Sequence, residues 1–256
     1  MTTTKNSKKN NHDDNDKDRP LSREEILSMY FRLLMLPVVA GPILLFGAYL
    51  YTYPKLPTPW FGFYFYLATL CFCGCTGMTL LLDCPRIARE RMTKHRPRQG
   101  VDTPQEVYFY KVAAILFIIA LIVMPYDAIQ HADVFPRSYN YAGALVTYAS
   151  YLWMIYVFRT NQYASKIVYK NENHQLIQVG PYRFVRHPMY SALIPFIFGN
   201  SICLGSFWGI VPFGFMSLLV IQRIQWEEEF LIQELFGDKY KEYQGKVPYK
   251  LCPYIY

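Results

Sequence analysis

Two short stretches carry the charge that could do chemistry in an otherwise apolar chain. GPYRFVRHPMY, at 180–190, sets Arg183, Arg186 and His187 at the mouth of a long apolar run. RIQWEEEFL, at 223–231, brings Arg223, Glu227, Glu228 and Glu229 out of the far end of the same run. Pro188 suits the first turn of a helix, where its missing N–H is no loss, and this leaves His187 just outside the helix. The free backbone donors of that turn, its positive end and the Arg186 guanidinium can together hold an anion such as a carboxylate. Gly180 and Pro181 shape a turn just before it, which lets Tyr182 fold over whatever binds there. Arg223 has the planar fork that grips a carboxylate through two hydrogen bonds and can aim one of its oxygens. An amine in that position would instead need a base, for which Glu228 and His187 are the candidates.

These groups must be positioned by elements that sit in a bilayer. The chain has 256 residues, 52% hydrophobic and 18% aromatic, and this composition predicts an all-α, polytopic membrane protein. Apolar runs cover 30–51, 60–82, 107–125, 141–158 and 190–224. The last run cannot be one helix, because its length at ~1.5 Å per residue would reach about 52 Å against a hydrocarbon core of ~30 Å. Leu204, Gly205 and Ser206 lie in its middle and Pro212 follows, so it reads as a helical hairpin and the total as about six spans.

Basic residues fix the orientation. Arg86, Arg89, Arg91, Lys94, Arg96 and Arg98 share one loop and several more lie within 159–186, whereas the opposite loops hold only Lys55 and Arg137. The N-terminus, both basic loops and the tail from Gln225 therefore face the cytosol. The hairpin returns the chain to the side it left, so the two charged stretches are expected to meet at one membrane edge. This placement of the basic residues also accounts for the net charge of +7 without invoking nucleic acid. Residues 1–27 are rich in Asn, Lys and Asp, with nothing to bury and no signal-peptide core, and read as a disordered cytosolic tail before a domain at 28–256. Their composition is eukaryotic in character, which would favour the endoplasmic reticulum membrane.

Other features exclude chemistry. Cys71, Cys73, Cys75, Cys84, Cys203 and Cys252 form no paired CxxC pattern, so neither a zinc site nor a disulfide framework is expected, and Cys71, Cys73 and Cys75 read as small packing residues along one helix. Asp127 and His131, on the far side, are expected to cap a loop. No span carries an ionisable residue in its middle, which argues against the alternative of a transporter, with a membrane scaffold as its companion reading. There is no GxGxxG following a strand.

The ordered set NENHQLIQVGPYRFVRHPMY (171–190), a hairpin with LGS at its tip, and RIQWEEEFLIQELFGDKYKEYQGKVPYKLCPYI (223–255) resembles the isoprenylcysteine carboxyl methyltransferase family and its phospholipid-methyltransferase relatives. The resemblance is strong over 161–256 and looser before it. It implies S-adenosylmethionine bound at the cytosolic membrane edge, mainly within 161–256. By that resemblance His174, Gln175, Leu176, Ile177 and Tyr182 line the nucleoside pocket, and Arg186, His187, Pro188 and Met189 hold the methionine moiety. Glu227 also contacts the cofactor and Arg223 faces the substrate carboxylate. Counted back from Phe236 and Gly237 the family glutamate falls at Glu228 or beyond, so Arg223, Glu227 and Glu228 are together the candidate catalytic set. The reaction implied is O-methylation of a C-terminal prenylcysteine on prenylated proteins. N-methylation of a phospholipid such as phosphatidylethanolamine is the alternative. Either acceptor would keep its chains in the bilayer, among membrane lipids, with its head group at the interface.

Overall fold

The computed structural model describes residues 19–52, 60–82, 84–85, 104–131, 134–161 and 176–256. His174, Gln175, residues 1–18 and the basic loop at 86–103 lie outside them. Seven α-helices form, among the described residues: α1 (Arg23–Thr52), α2 (Phe61–Leu81), α3 (Pro104–Gln130), α4 (Arg137–Thr160), α5 (Pro188–Leu204), α6 (Ile210–Phe230) and α7 (Asp238–Lys246). A 3-10 turn at Gly180–Arg183 precedes α5, and a π-helical segment at Leu231–Phe236 joins α6 to α7. The six long helices stand where the apolar runs place them.

Three of these helices, α2, α3 and α4, are long and apolar enough to cross a bilayer. Within α1 an apolar stretch covers Gly41–Leu50, and α5 is apolar over 17 residues, about 25 Å of helix. The outward faces are apolar: Ile115, Phe117, Ile118, Leu145, Phe215 and Leu218 are all more than half exposed. Such a surface would be a liability in water and suits lipid. The chain is an integral membrane protein.

The tail boundary moves. Helix α1 begins at Arg23, inside the segment that composition assigns to the tail. Ser22 Oγ accepts from the Glu25 N–H at 3.2 Å, and the Glu25 carboxylate accepts from the Ser22 N–H at 2.8 Å. This capping box starts the helix despite the polar surroundings.

The hairpin tip explains why 190–224 breaks where it does. Gly205 ends α5 in the left-handed region at φ 91°, where a side chain would be strained. The orphan carbonyls at that end find donors from other helices: Asn140 Nδ2 donates to Cys203 O at 2.9 Å and Trp60 Nε1 to Leu204 O at 3.2 Å. Asp127, buried at the end of α3, accepts through Oδ2 from Ser206 Oγ and from the Phe207 and Trp208 N–H groups that open α6. Its Oδ1 lies 2.9 Å from His131 Nδ1. The pair caps a loop, as its position in the sequence predicts.

Helices α4 and α5 pack with their backbones in near contact. A methyl on Gly143 would run into the backbone of Cys203, and one on Gly199 into Thr147. Small residues allow this approach, which is how membrane helices gain van der Waals contact without a hydrophobic drive. Cys73 and Cys203 are buried in the bundle and all six cysteines are free. The main apolar cluster lies lower in the hairpin half of the molecule, joining Leu44, Phe63, Met124, Ile197, Leu204 and Phe213 from α1, α2, α3, α5 and α6.

Candidate active site at the membrane edge

The hairpin brings the start of α5 and the end of α6 together, and the charges expected to meet do meet. They form two arginine-centred groups rather than one cluster. Arg186 and Glu228, both buried, make the first: Arg186 Nε donates to Glu228 Oε1 at 2.7 Å, and its Nη1 donates at 2.8 Å to the carbonyls of both Val247 and Pro248. His187 Nε2 lies 3.1 Å from the same carboxylate oxygen. Gln244 Nε2 donates to Glu228 Oε2 at 3.3 Å, and Lys250 Nζ lies 3.5 Å from it. The backbone takes part as well, with the Arg186 N–H donating to Tyr249 O and the His187 N–H to Lys250 O, each at 2.9 Å.

Glu228 thus places a carboxylate beside the start of α5, held by the Arg186 and His187 side chains. Burial by itself would raise the Glu228 pKa. The hydrogen bonds and charges of His187 and Arg186 outweigh that and hold it at about 2, well below the ordinary carboxylate range. A carboxylate held this way is a poor proton acceptor, and its contacts tie α6 to the C-terminal segment. Across it, Tyr240, Tyr243 and Val247 pack with Leu176. Tyr243 Oη donates to Tyr182 O at 2.7 Å, which fixes the 3-10 turn against α7. Burial pushes the phenol of Tyr243 well above its usual value.

The second group centres on Arg223. Its Nε donates to Tyr190 Oη at 2.8 Å, and Tyr190 Oη in turn donates to Glu227 Oε2 at 2.9 Å. The guanidinium carbon stands 4.3 Å from the ring centroid of Phe109 and 5.1 Å from that of Tyr110, both on α3. Arg223 Nη2 reaches Glu106 Oε1 and Tyr110 Oη at the long distance of 3.5 Å each. Arg223, Glu227, Glu106 and Phe109 line a cavity of about 190 Å³ together with Gln105, Trp226, Glu229, Phe230 and Gln233.

Of the residues named from sequence, Tyr182, Arg186, His187, Pro188 and Met189 follow one another from the 3-10 turn into α5. Asn161 Nδ2 donates to Tyr182 Oη at 3.0 Å. Pro188 is buried, and its carbonyl accepts from Trp153 Nε1 at 3.1 Å. Met189 packs between two apolar clusters, one holding Ile155 and Phe158, the other Phe109 and Ile224. Leu176 and Ile177 lie at the edge of this region, half-buried. Glu227 and Glu228, neighbours in sequence, point to different groups because successive helical residues lie ~100° apart. Glu227 joins Arg223, and Glu228 joins Arg186. Sequence reasoning missed Tyr190 as the link between Arg223 and Glu227, although it closes the HPMY stretch. It also missed Glu106, whose signal is a carboxylate in the first turn of a helix that starts at the same membrane face.

Fold and site together define a helical membrane protein with an arginine-bearing cavity and a braced turn at one membrane edge. Residues 142–233, which run from α4 into the π-helical segment, match the model of the Isoprenylcysteine carboxyl methyltransferase (ICMT) family. The chain is 37% identical over 84 residues to the protein-S-isoprenylcysteine O-methyltransferase of Schizosaccharomyces pombe, and 35% identical over 79 residues to that of Dictyostelium discoideum. It is 33% identical over 86 residues to that of Xenopus laevis. These matches take in 31%, 30% and 34% of this chain, and they span about a third of the relatives' own length: 34%, 33% and 30%. The fold is shared with a solved structure of the eukaryotic intramembrane Ras methyltransferase ICMT, at a TM-score of 0.50 and 19% identity, over 90% of this chain and 83% of that one. The family resemblance read from the motifs is thus borne out across the segment that holds α5 and α6.

Proposed function

We propose that the protein is an integral membrane methyltransferase that uses S-adenosylmethionine to methylate the C-terminal carboxylate of prenylated cysteine. The observation that carries this reading is Arg223. It is buried at the wall of a membrane-edge cavity, fixed through Nε by Tyr190 and stacked on Phe109, with its remaining edge at a distance from its partners that a ligand carboxylate could improve on. The three relatives above are named for the same reaction.

The residues present fit a cationic sulfonium nucleoside. Glu227 and Glu229 supply negative charge at the cavity, and Tyr182, Leu176 and Ile177 are each only partly buried. His174 and Gln175, assigned to the nucleoside by the resemblance, lie outside the described residues. Arg186 is committed to Glu228 and two carbonyls, so its role is to shape the turn from which His187, Pro188 and Met189 face the cofactor. The bound cofactor supplies an already activated methyl group. The protein's task is then alignment and exclusion of water, which a buried guanidinium and an aromatic wall perform without a metal. Arg223 holds one carboxylate oxygen of the acceptor while Tyr190 ties it to Glu227 on the cofactor side. A prenyl chain would remain in the bilayer, and the endoplasmic reticulum membrane is the compartment this reading favours.

One observation favours a second acceptor. Among the described residues that line it, the cavity sets Glu106, Glu227 and Glu229 against Arg223, a balance that would also suit the amine of phosphatidylethanolamine. The two are separated by supplying purified protein with radiolabelled S-adenosylmethionine and either N-acetyl farnesylcysteine or phosphatidylethanolamine. Base-labile label on the prenylcysteine is the expected result. Base-stable label on the lipid alone would replace carboxyl methylation by N-methylation.

A further inference from the structure

Glu106 does not belong to either charged stretch or to the segment matched by the family model, yet it stands at the Arg223 guanidinium. It sits in the first turn of α3, its side chain 15% exposed, and lines the cavity across from Glu227. Its Oε1 is 3.5 Å from Arg223 Nη2, whereas Arg186 and Glu228 approach to 2.7 Å. A charge-assisted N–H···O contact is at its best near ~2.8 Å, so the Glu106 contact is a loose one. Arg223 is held elsewhere by shorter or stacked contacts: Tyr190 on Nε, the Phe109 ring on one face and the Tyr110 ring near it. Its orientation therefore does not depend on Glu106.

We infer that Glu106 is a specificity-determining residue that contacts the Arg223 guanidinium and competes with the acceptor carboxylate for it. This inference rests on the acceptor reading given above. A competing carboxylate lowers the affinity for every anionic ligand at Arg223 and leaves a neutral ligand of the same shape unaffected. It thereby favours release of the methyl ester product over retention of the acid, because the ester has no charge with which to displace Glu106. A residue that merely propped up Arg223 would do the reverse, since its loss would weaken acid binding.

The test is equilibrium binding of N-acetyl farnesylcysteine and of its methyl ester to the full chain in detergent, for wild type, Glu106→Gln and Glu106→Ala. The glutamine keeps the shape of the side chain, and the alanine removes it. The expected result is acid affinity raised about five-fold in both variants, with ester affinity unchanged, as for a partly exposed ion pair. In turnover the same variants lower KM for the acid with little change in kcat. Acid affinity that falls or stays the same, or acid and ester affinities that shift together, would overturn the inference while leaving the acceptor reading in place. A wild-type protein that binds neither compound would overturn both.

Discussion

The two arginines at the membrane edge are built alike and used differently. Arg186 and Arg223 are both buried, and each has a glutamate partner from another helix. Arg186 gives Nε to a carboxylate at 2.7 Å and Nη1 to two carbonyls at 2.8 Å, with Nη2 3.4 Å from the second oxygen of the same carboxylate, all within the chain. The contacts of Arg223 include one short bond to a phenol, aromatic faces, and a carboxylate at 3.5 Å across a cavity. A guanidinium that gives both Nε and Nη1 to short bonds within the chain has little left to offer a ligand and contributes to structure. One oriented by contacts that spend little of its charge is prepared for an incoming anion. The difference shows why an arginine's burial alone does not identify it as catalytic: the lengths and kinds of its bonds decide.

The comparison breaks most visibly at the tight pair. Arg186→Ala leaves Glu228 buried without its main counter-charge and should cost about 3–5 kcal/mol, read as a fall in unfolding temperature in detergent. Arg186→Lys should recover only part of it, because a point charge cannot serve Glu228 Oε1 and two carbonyls at once. Glu228→Gln keeps the shape and loses the charge, for an expected cost of about 2 kcal/mol at neutral pH.

That variant also sharpens the pH dependence. The folded-state pKa of Glu228 is depressed to about 2, so its stabilisation is complete above the unfolded carboxylate value of ~4.3. It is lost as pH falls from there through about 2. Wild type should therefore lose stability faster than Glu228→Gln across this window, and the two curves should converge at its acid end. Parallel curves would show that the carboxylate is not the group that titrates.

Tyr190→Phe acts on the loose pair. It removes the hydroxyl that joins Arg223 to Glu227 and should lower kcat/KM for a prenylcysteine acceptor about ten-fold, with about 1 kcal/mol lost in stability. The smallest expected effect lies far from both arginines. Gly205→Ala forces a side chain into φ 91° at the hairpin tip and should cost about 1 kcal/mol, with cofactor and acceptor affinities unchanged.

Much of this arrangement is legible from residue types. The break at Leu204, Gly205 and Ser206 follows from a run too long for one span, and the meeting of RHP with the glutamates follows from hairpin topology and the placement of basic loops. Asp127 and His131 could be read as a cap because a carboxylate near the far end of a span has few other stable uses. The start of α1 was hidden by composition, since Ser22 and Glu25 act through a local capping geometry that the polar content of 1–27 obscures.

The division of labour between Glu227 and Glu228 could not be read from their order, because a helix turns adjacent residues to different neighbours. Counting from either end of the motif gives one or the other, and the structure has a use for both. Glu106 was out of reach for a different reason. Its contact with Arg223 joins residues 117 apart through the packing of α3 on α6, and no local pattern encodes that pairing.

The central claim is that Arg223, and not Arg186, is the guanidinium that holds an acceptor carboxylate. The direct measurement is transfer of radiolabelled methyl from S-adenosylmethionine to N-acetyl farnesylcysteine, scored as base-labile product per folded molecule, for wild type and Arg223→Ala. The account predicts labelled ester with wild type, a loss of at least ~100-fold with Arg223→Ala, and cofactor affinity within a few-fold of normal in the variant. Wild-type protein that forms no ester, or an Arg223→Ala variant that forms it at the wild-type rate, would contradict it.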